Sequence, residues 1–460
     1  MGKKQSISLE RKKLLADPII VTAIIGVFVF LLLFIVYPLS ILLVDSVYVD
    51  RKITFSVFIR VFEMTAFRNA ISNTLLLGFI TGIGGTLIGF LFAYVDAYVN
   101  VGSRIVKRLF NVVSILPVIS PPFVLSLSAI LLFGRTGLVT RTLFNLSTSA
   151  LYGLPGIALV QILTFFPVCY LMLKGLLRNI DPSIEEAVRN MGASRWKVFQ
   201  TVTFPLLLPG LGNAFLITFI ESVADFANPM IIGGNYDTLA TSIYLQLTGA
   251  YDKSGATAMA VVLLTVSMGL FILEKYWLER KSVATLSGKA SRERVLITDA
   301  SVRKPLVTVC TVIMIFVLIM YTLVPLGSLF KLWGRDYHLS TKWYEYIFRN
   351  RGYRVFTDSM MLSAIASPLT ALLSMLIAWL VVKRRFLGKW FMEFAAMLAM
   401  AVPGTVLGVG FIRGFNSGLF HTGIMQGLYG TGTILILVFI VRSLPVGTRS
   451  GIAALHQIDK

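Results

Sequence analysis

Charge is scarce in this chain. Asp, Glu, Lys and Arg together make up 14% of its 460 residues while 56% are apolar, whereas an average soluble domain carries about 25% charged residues. That balance excludes an ordinary water-soluble enzyme. Acidic residues are the scarcer sign, 22 against 42 Lys and Arg, which leaves a formal charge of +20. In a soluble protein such an excess would suggest nucleic acid. Here the apolar residues gather into blocks of 18 or more without Lys or Arg, each long enough to cross a hydrocarbon core of about 30 Å. The basic excess then follows from the tendency of cytoplasmic loops to collect Lys and Arg, and no nucleic-acid partner is expected. Cysteine is nearly absent: Cys169 and Cys310 both lie inside apolar blocks, so no disulfide framework is available. The three histidines, His338, His421 and His456, fall in separate segments, which excludes an intramembrane His cluster for haem or a transition metal. No cofactor and no resident metal are expected. Also missing is G-x-x-x-x-G-K-[ST]. The nearest stretch, Ser287-Gly288-Lys289-Ala290, has Val283 in place of the first Gly and Ala290 where a magnesium-binding hydroxyl belongs, so no ATP hydrolysis and no catalytic residue are assigned to this chain.

What is present is a series of ten apolar blocks, at 19–45, 73–97, 109–133, 153–173, 210–232, 256–273, 305–330, 359–382, 390–412 and 424–441. With the N-terminus on the cytoplasmic side, 28 of the 42 Lys and Arg fall in inner segments, and this bias sets the orientation. The basic start, from Lys3-Lys4 to Arg11-Lys12-Lys13, resembles a secretory signal. The apolar run behind it exceeds an h-region of about 7 to 15 residues and lacks a small-residue cleavage site, so the first block reads as an uncleaved anchor.

Residues 274–304 carry eight Lys and Arg among Ser, Thr and Gly and read as a cytoplasmic linker between a first repeat, 1–273, and a second, 305–460. The halves resemble each other: Asn73-Thr74 matches Asp358-Ser359, Phe92-Ala93-Tyr94 matches Ile377-Ala378-Trp379, and Pro121-Pro122 matches Pro403-Gly404, at offsets of 285, 285 and 282. The expected architecture is an all-α polytopic membrane protein built from two parallel six-span repeats. Ile180-Asp181 matches Ile458-Asp459, so the second copy reaches its end where the first begins a distinctive loop. The duplication predicts a continuation with a second such loop and two more spans.

That loop, within 178–209, reads as two short capped helices. Asp181 is a plausible N-cap with Pro182 at the first helical position, and Ile184, Ala187, Val188 and Met191 then share a face. Gly192 can take the left-handed conformation that ends the helix. Ser194 can cap a second helix with Trp196, Phe199 and Thr203 on one side, closed by Pro205 and Pro209. The reading is of an apolar knob with Glu185, Glu186, Arg189, Arg195 and Lys197 around its rim, suited to a groove in another protein. An amphipathic segment lying on lipid is the plainer alternative, but the acidic pair suits an anionic leaflet poorly.

Glu186-Ala187-Val188, then Gly192, then Val202-Thr203-Phe204-Pro205 resembles, at matching spacing, the "EAA" loop of binding-protein-dependent ABC transporter permeases, with Val188, Val202 and Phe204 as apolar departures. Together with the duplication, the resemblance covers essentially the whole chain and is nearest to fused two-copy permeases of the ferric-iron importer type. Ala224-Asp225-Phe226-Ala227-Asn228-Pro229 followed by Gly233-Gly234-Asn235 resembles the same group. The resemblance implies the type I ABC importer transmembrane fold and a place in the bacterial cytoplasmic membrane. It implies a cytoplasmic ABC ATPase, a homodimer, as the partner docked on the loop, and a separate extracytoplasmic solute-binding protein delivering cargo, best matched by ferric iron. Permeases for 2-aminoethylphosphonate or thiamine are the nearest alternatives. A proton-coupled secondary transporter is the alternative class, although Asn100-Val101-Gly102-Ser103-Arg104 does not supply the loop motif common there.

Two carboxylates stand within the fifth block. Glu221 and Asp225 are four residues apart, which predicts a shared helical face, and ionisable groups at membrane depth are functional candidates by default. With no Lys or Arg inside any block as drawn, they are expected to line a hydrated translocation path or to be protonated; the plainer alternative is that they pair with polar or basic side chains of neighbouring helices, or that the fifth span is shifted and Asp225 lies near its outer end. Pro121-Pro122 and Pro403-Gly404 break the third and ninth blocks at equivalent points, a pattern that points to a gate or binding region.

Overall fold

The computed structural model describes residues 17–49, 52–146, 150–274, 294–349, 351–417 and 426–457. The basic N-terminal segment, most of the expected linker (275–293), His421 and Ile458-Asp459 lie outside the described residues. Helices run in the order α1 (Pro18–Val47), α2 (Ser56–Glu63), α3 (Thr65–Tyr98), α4 (Arg104–Ile119), α5 (Phe123–Phe133), α6 (Leu154–Asn179), α7 (Pro182–Asn190), α8 (Arg195–Ala224), α9 (Ala227–Ile232), α10 (Leu239–Thr248) and α11 (Lys253–Leu273). They continue with α12 (Ala300–Ser328), α13 (Lys342–Arg349), α14 (Gly352–Lys383), α15 (Lys389–Ala401), α16 (Gly404–Ser417) and α17 (Gly432–Gln457). Two antiparallel hairpins, β1 (Tyr48–Val49) with β2 (Lys52–Ile53) and β3 (Phe330–Leu332) with β4 (Asp336–Leu339), each precede a short amphipathic helix and then a long apolar one.

Among the described residues nine helices are long and apolar enough to cross a bilayer, or ten if α15 and α16, bent by 113° at their junction, form one span. Lipid offers backbone groups no hydrogen-bond partner, so apolar runs of this length satisfy themselves as helices. The expected blocks are all helical, with shifted limits. The third is two helices separated at Ser120-Pro121-Pro122, and the ninth is cut at Val402-Pro403, so both proline breaks fall where the pattern placed them. The fifth, expected at 210–232, begins earlier and ends at Ala224. The tenth, expected at 424–441, is shifted to Gly432–Gln457.

Basic residues therefore enter helices from which the block limits had kept them. Lys174 and Arg178, in α6, pair with Asp96 of α3 at 2.8 and 3.3 Å. Arg413, in α16, pairs with Asp45 of α1 at 2.6 Å. Arg442, in α17, donates to the carbonyls of Ala399 and Val402 at 3.3 and 2.9 Å, completing the backbone groups that α15 leaves open at its end. Each charge is matched by a carboxylate or by helix-end carbonyls, which is the form in which charges are tolerated near a bilayer.

The chain forms two compact units that cut across the sequence halves: Thr65–Ser242 with Met268–Tyr344, and Met1–Met64 with Ile243–Ser267 and Glu345–Lys460. In the first unit α3 packs along α6 around Phe92, Phe110, Phe166 and Tyr170, and α12 from the later half packs on α4 and α5. In the second, α14 packs along α17, and α1 from the beginning of the chain packs against α15 and α16. Close approach of α3 to α6 depends on Gly89, where a Cβ would overlap Cys169 and stand 2.9 Å from both Phe166 O and Tyr170 N. Small residues at such crossings are how helices pack in lipid. Gly89→Ala is expected to destabilise the protein by about 1–3 kcal/mol through overpacking, read as a lower unfolding midpoint in detergent; an unchanged midpoint would mean that the two helices separate without cost.

Candidate functional site

The loop between α6 and α8 carries the site. Asp181 caps α7, its side chain accepting from Ser183 N at 3.0 Å with Pro182 in the first turn. The far end closes by two bonds, Gly192 N to Arg189 O at 2.9 Å and Ala193 N to Val188 O at 3.3 Å. This is a Schellman arrangement requiring a left-handed residue, and Gly192 supplies it at φ +88°. Ser194 then caps α8 by accepting from Lys197 N at 3.3 Å.

Pro205 and Pro209 were expected to close this second helix, but it continues into the fifth span. A π-turn over Phe199–Thr203 carries it forward, with Pro205 just beyond and Pro209 inside the helix. The wider turn relieves the ring clash and the missing donor that proline brings to a regular helix. Whatever pushes on Arg195 therefore acts on one continuous helix to Ala224.

Glu185 is also placed differently from expectation. Instead of standing on the rim with its neighbours, it is buried and accepts 2.7 Å hydrogen bonds from Tyr98 Oη and Thr203 Oγ1. Its position four residues after the helix cap turns it toward the bundle, and Arg294 stands beside it. Glu186 is half-buried, while Ala187, Gly192, Arg195 and Pro205 are exposed. Apolar Ile184, Met191 and Trp196 are 48, 78 and 65% exposed, so the knob expected from the pattern is present and uncovered. Its base is fixed by aromatic contacts, with Phe199 edge-on to Tyr94 at 5.8 Å and Tyr94 stacked on Tyr98 at 4.8 Å. Arg294 was one of eight basic linker residues in the sequence, and nothing in its spacing marked it.

The family model described as "Binding-protein-dependent transport system inner membrane component" matches residues 85–282, which contain this loop. Along nearly its whole length the chain is similar to two curated relatives. It is 36% identical over 98% of its residues to the ferric transport system permease protein FbpB of Actinobacillus pleuropneumoniae, and 35% identical over 99% to the putative ferric transport system permease protein FbpB 1 of Haemophilus influenzae. The chain belongs to the binding-protein-dependent ABC permease family. It spans 65% and 72% of the lengths of those two relatives. A solved bacterial alginate ABC transporter, in complex with an alginate pentasaccharide-bound periplasmic protein, aligns over 59% of the permease chain and 97% of its own with a TM-score of 0.51 at 18% identity. That likeness concerns the fold, which is the type I importer transmembrane fold of a multi-pass membrane protein.

The carboxylates of the fifth span do not share a helical face as expected. Glu221 is half-buried in the last turn of α8, whereas Asp225 follows the helix in extended conformation, φ −72° and ψ 122°. Its Oδ2 accepts from Gln161 Nε2 and Asn228 Nδ2, both at 2.8 Å, and its Oδ1 from Ala227 N at 3.0 Å and Asn228 N at 3.4 Å. Gln161 Oε1 in turn accepts from Thr81 and Ser222 at 3.0 and 2.6 Å, and Ser126 donates to Asn228 Oδ1 at 2.7 Å. Four uncharged donors thus hold Asp225, which fits the plainer expectation of pairing with polar groups at the end of a shifted fifth span. The stretch that follows contributes Gly234, Asn235 and Tyr236 to a cavity of 610 Å³ completed by Arg135, Tyr152 and Gly153.

Proposed function

We propose that the chain is the transmembrane permease subunit of an ABC importer for ferric iron. The observation that carries this reading is the uncovered coupling loop in a chain alike along its whole length to two permeases whose names specify ferric transport. Cargo reaches it from an extracytoplasmic binding protein. ATP is hydrolysed in a separate cytoplasmic ATPase homodimer, and Glu186, Ala187, Gly192 and Arg195 form the docking surface on one of its subunits. Pro205 lies where the docked helix turns into the fifth span. The N-terminus is cytoplasmic, which places the loop on the ATPase side. Residues 1–273 and 305–460 are two copies of one unit joined by the linker at 274–304, a division supported by the recurrence of hairpin, short helix, long helix and proline-broken span.

When the ATPase subunits close, the loop is carried with them and moves α8, whose last turn carries Glu221. The breaks at Pro121-Pro122 and Pro403 lie along the path, because a broken helix exposes backbone groups only where it lines a cavity or is buried in protein. Glu221 faces the path, and Asp225 is the strut that shapes its wall. Proteoliposomes holding the permease, its ATPase and its binding protein test this. Uptake of radiolabelled ferric iron that requires ATP and both partners is expected. Uptake driven by a proton gradient alone would overturn the transporter class, and uptake of thiamine or 2-aminoethylphosphonate in place of iron would overturn the cargo.

A further inference from the structure

The segment ahead of α12 folds back across the coupling loop. Ile297 N donates to Tyr98 O at 2.7 Å and Asn100 N to Ile297 O at 3.0 Å, making a parallel bridge at the end of α3. Three residues earlier, the Arg294 guanidinium lies 4.0 Å over the Tyr98 ring. Its two terminal nitrogens donate, each at 2.9 Å, to Leu177 O and Ile180 O, which close the end of α6. Its Nε stands 3.3 Å from Glu185 Oε2, as an ion pair. The two side chains are only 11 and 10% exposed, so the contact is shielded from water and salt.

One guanidinium therefore joins the ends of α3 and α6 to α7, and through the Glu185 to Thr203 bond it reaches the π-turn of α8. Besides this guanidinium the loop is held by the bonds of Glu185 to Tyr98 and Thr203 and by the ring contacts of Phe199, Tyr94 and Tyr98. Ile184, Ala187, Met191 and Trp196 point outward, and a two-helix element with so small a buried area can swing on its connections. Arg suits this place and Lys does not, since a planar fork donates to two helix-end carbonyls while it lies over the Tyr98 ring and pairs with Glu185, whereas an ammonium is a single point of charge.

We propose that Arg294 is a positioning residue for the coupling loop, and that residues 294–299 are a strap through which the approach to the second half's first span holds the first half's loop in its docking orientation. The proposal rests on the coupling role assigned above. With the strap in place, motion of the docked partner passes into α8; without it, the loop yields while α8 stays behind.

Two measurements separate the strap from that coupling role. The first uses a nitroxide on Met191→Cys in the full chain without partners, where native Cys169 and Cys310 are buried. Arg294→Met is expected to convert an immobilised spectrum into a largely mobile one, with Arg294→Lys in between; an unchanged spectrum would overturn the strap whatever the protein transports. The second uses the complete transporter. Arg294→Met is expected to raise ATP hydrolysed per ferric ion imported by about tenfold, the scale of coupling between residues in one network. Glu185→Gln combined with Arg294→Met should be no worse than the poorer single variant. Losses that multiply would overturn the proposal, as would a normal ratio in Arg294→Met. If even the unaltered protein imports no iron with ATP, the functional reading fails, while the spin-label result still decides the strap.

Discussion

Gly192→Val is expected to abolish coupled transport while leaving the protein inserted and able to hold its ATPase loosely. A Cβ at this position would meet nothing within 4 Å, so packing contributes no penalty, and the whole effect comes from the backbone at φ +88°. Holding a non-glycine residue in the left-handed region costs about 1–3 kcal/mol, with β-branched residues at the upper end. That is roughly a five- to 150-fold loss in the population of the docked loop geometry, with valine toward the upper end. Relaxing the strain opens the bonds from Gly192 N and Ala193 N and re-aims α8 relative to α7. Uptake should fall by at least about tenfold while ATP hydrolysis by the assembled complex persists. Because asparagine tolerates the left-handed conformation best among other residues, Gly192→Asn should retain most of the uptake and Gly192→Ala an intermediate share. Equal uptake in the valine and asparagine variants would remove the backbone explanation.

The second large effect is expected at Asp225. Asp225→Ala withdraws the acceptor from two side-chain amides and two backbone N–H groups, each worth about 1–3 kcal/mol when left buried and unpaired. A loss of several kcal/mol is a large fraction of a protein's total stability, so the variant should appear as low yield and a much lower unfolding midpoint in detergent. Asp225→Asn should be milder. Its remaining oxygen can still cap α9, but its NH₂ faces the amide donors of Gln161 and Asn228, and relief requires Gln161 to turn over and disturb Thr81 and Ser222. A residue lining the path would behave in the opposite way, with normal folding and reduced uptake. An Asp225→Ala protein that melts like the parent and fails only in transport would therefore exclude the strut.

The comparison of Glu185 with Glu186 and of Asp225 with Glu221 separates what each level of organisation decides. The sequence alone determined the solvent of this protein, the approximate positions of its apolar helices, the two proline breaks and the presence of a capped helix pair whose first helix ends at Gly192. All of these depend on local rules: apolar length, N-cap chemistry, proline's missing donor and the left-handed glycine. It also determined the family, because the motif's spacing is a property of consecutive residues. The tertiary structure decided which acidic residue of the pair turns inward, since burial of Glu185 depends on Tyr98 and Thr203 arriving from other segments. It decided that Asp225 leaves the helix and that Gln161 of α6, 64 positions away, joins the local donors of Ala227 and Asn228 on its carboxylate. It gave Arg294 a partner 109 positions away, where composition offered only one more charge in a linker. It also drew each compact unit from both halves of the chain, because a span in lipid is stable wherever its small residues find a close neighbour, and local sequence does not name that neighbour.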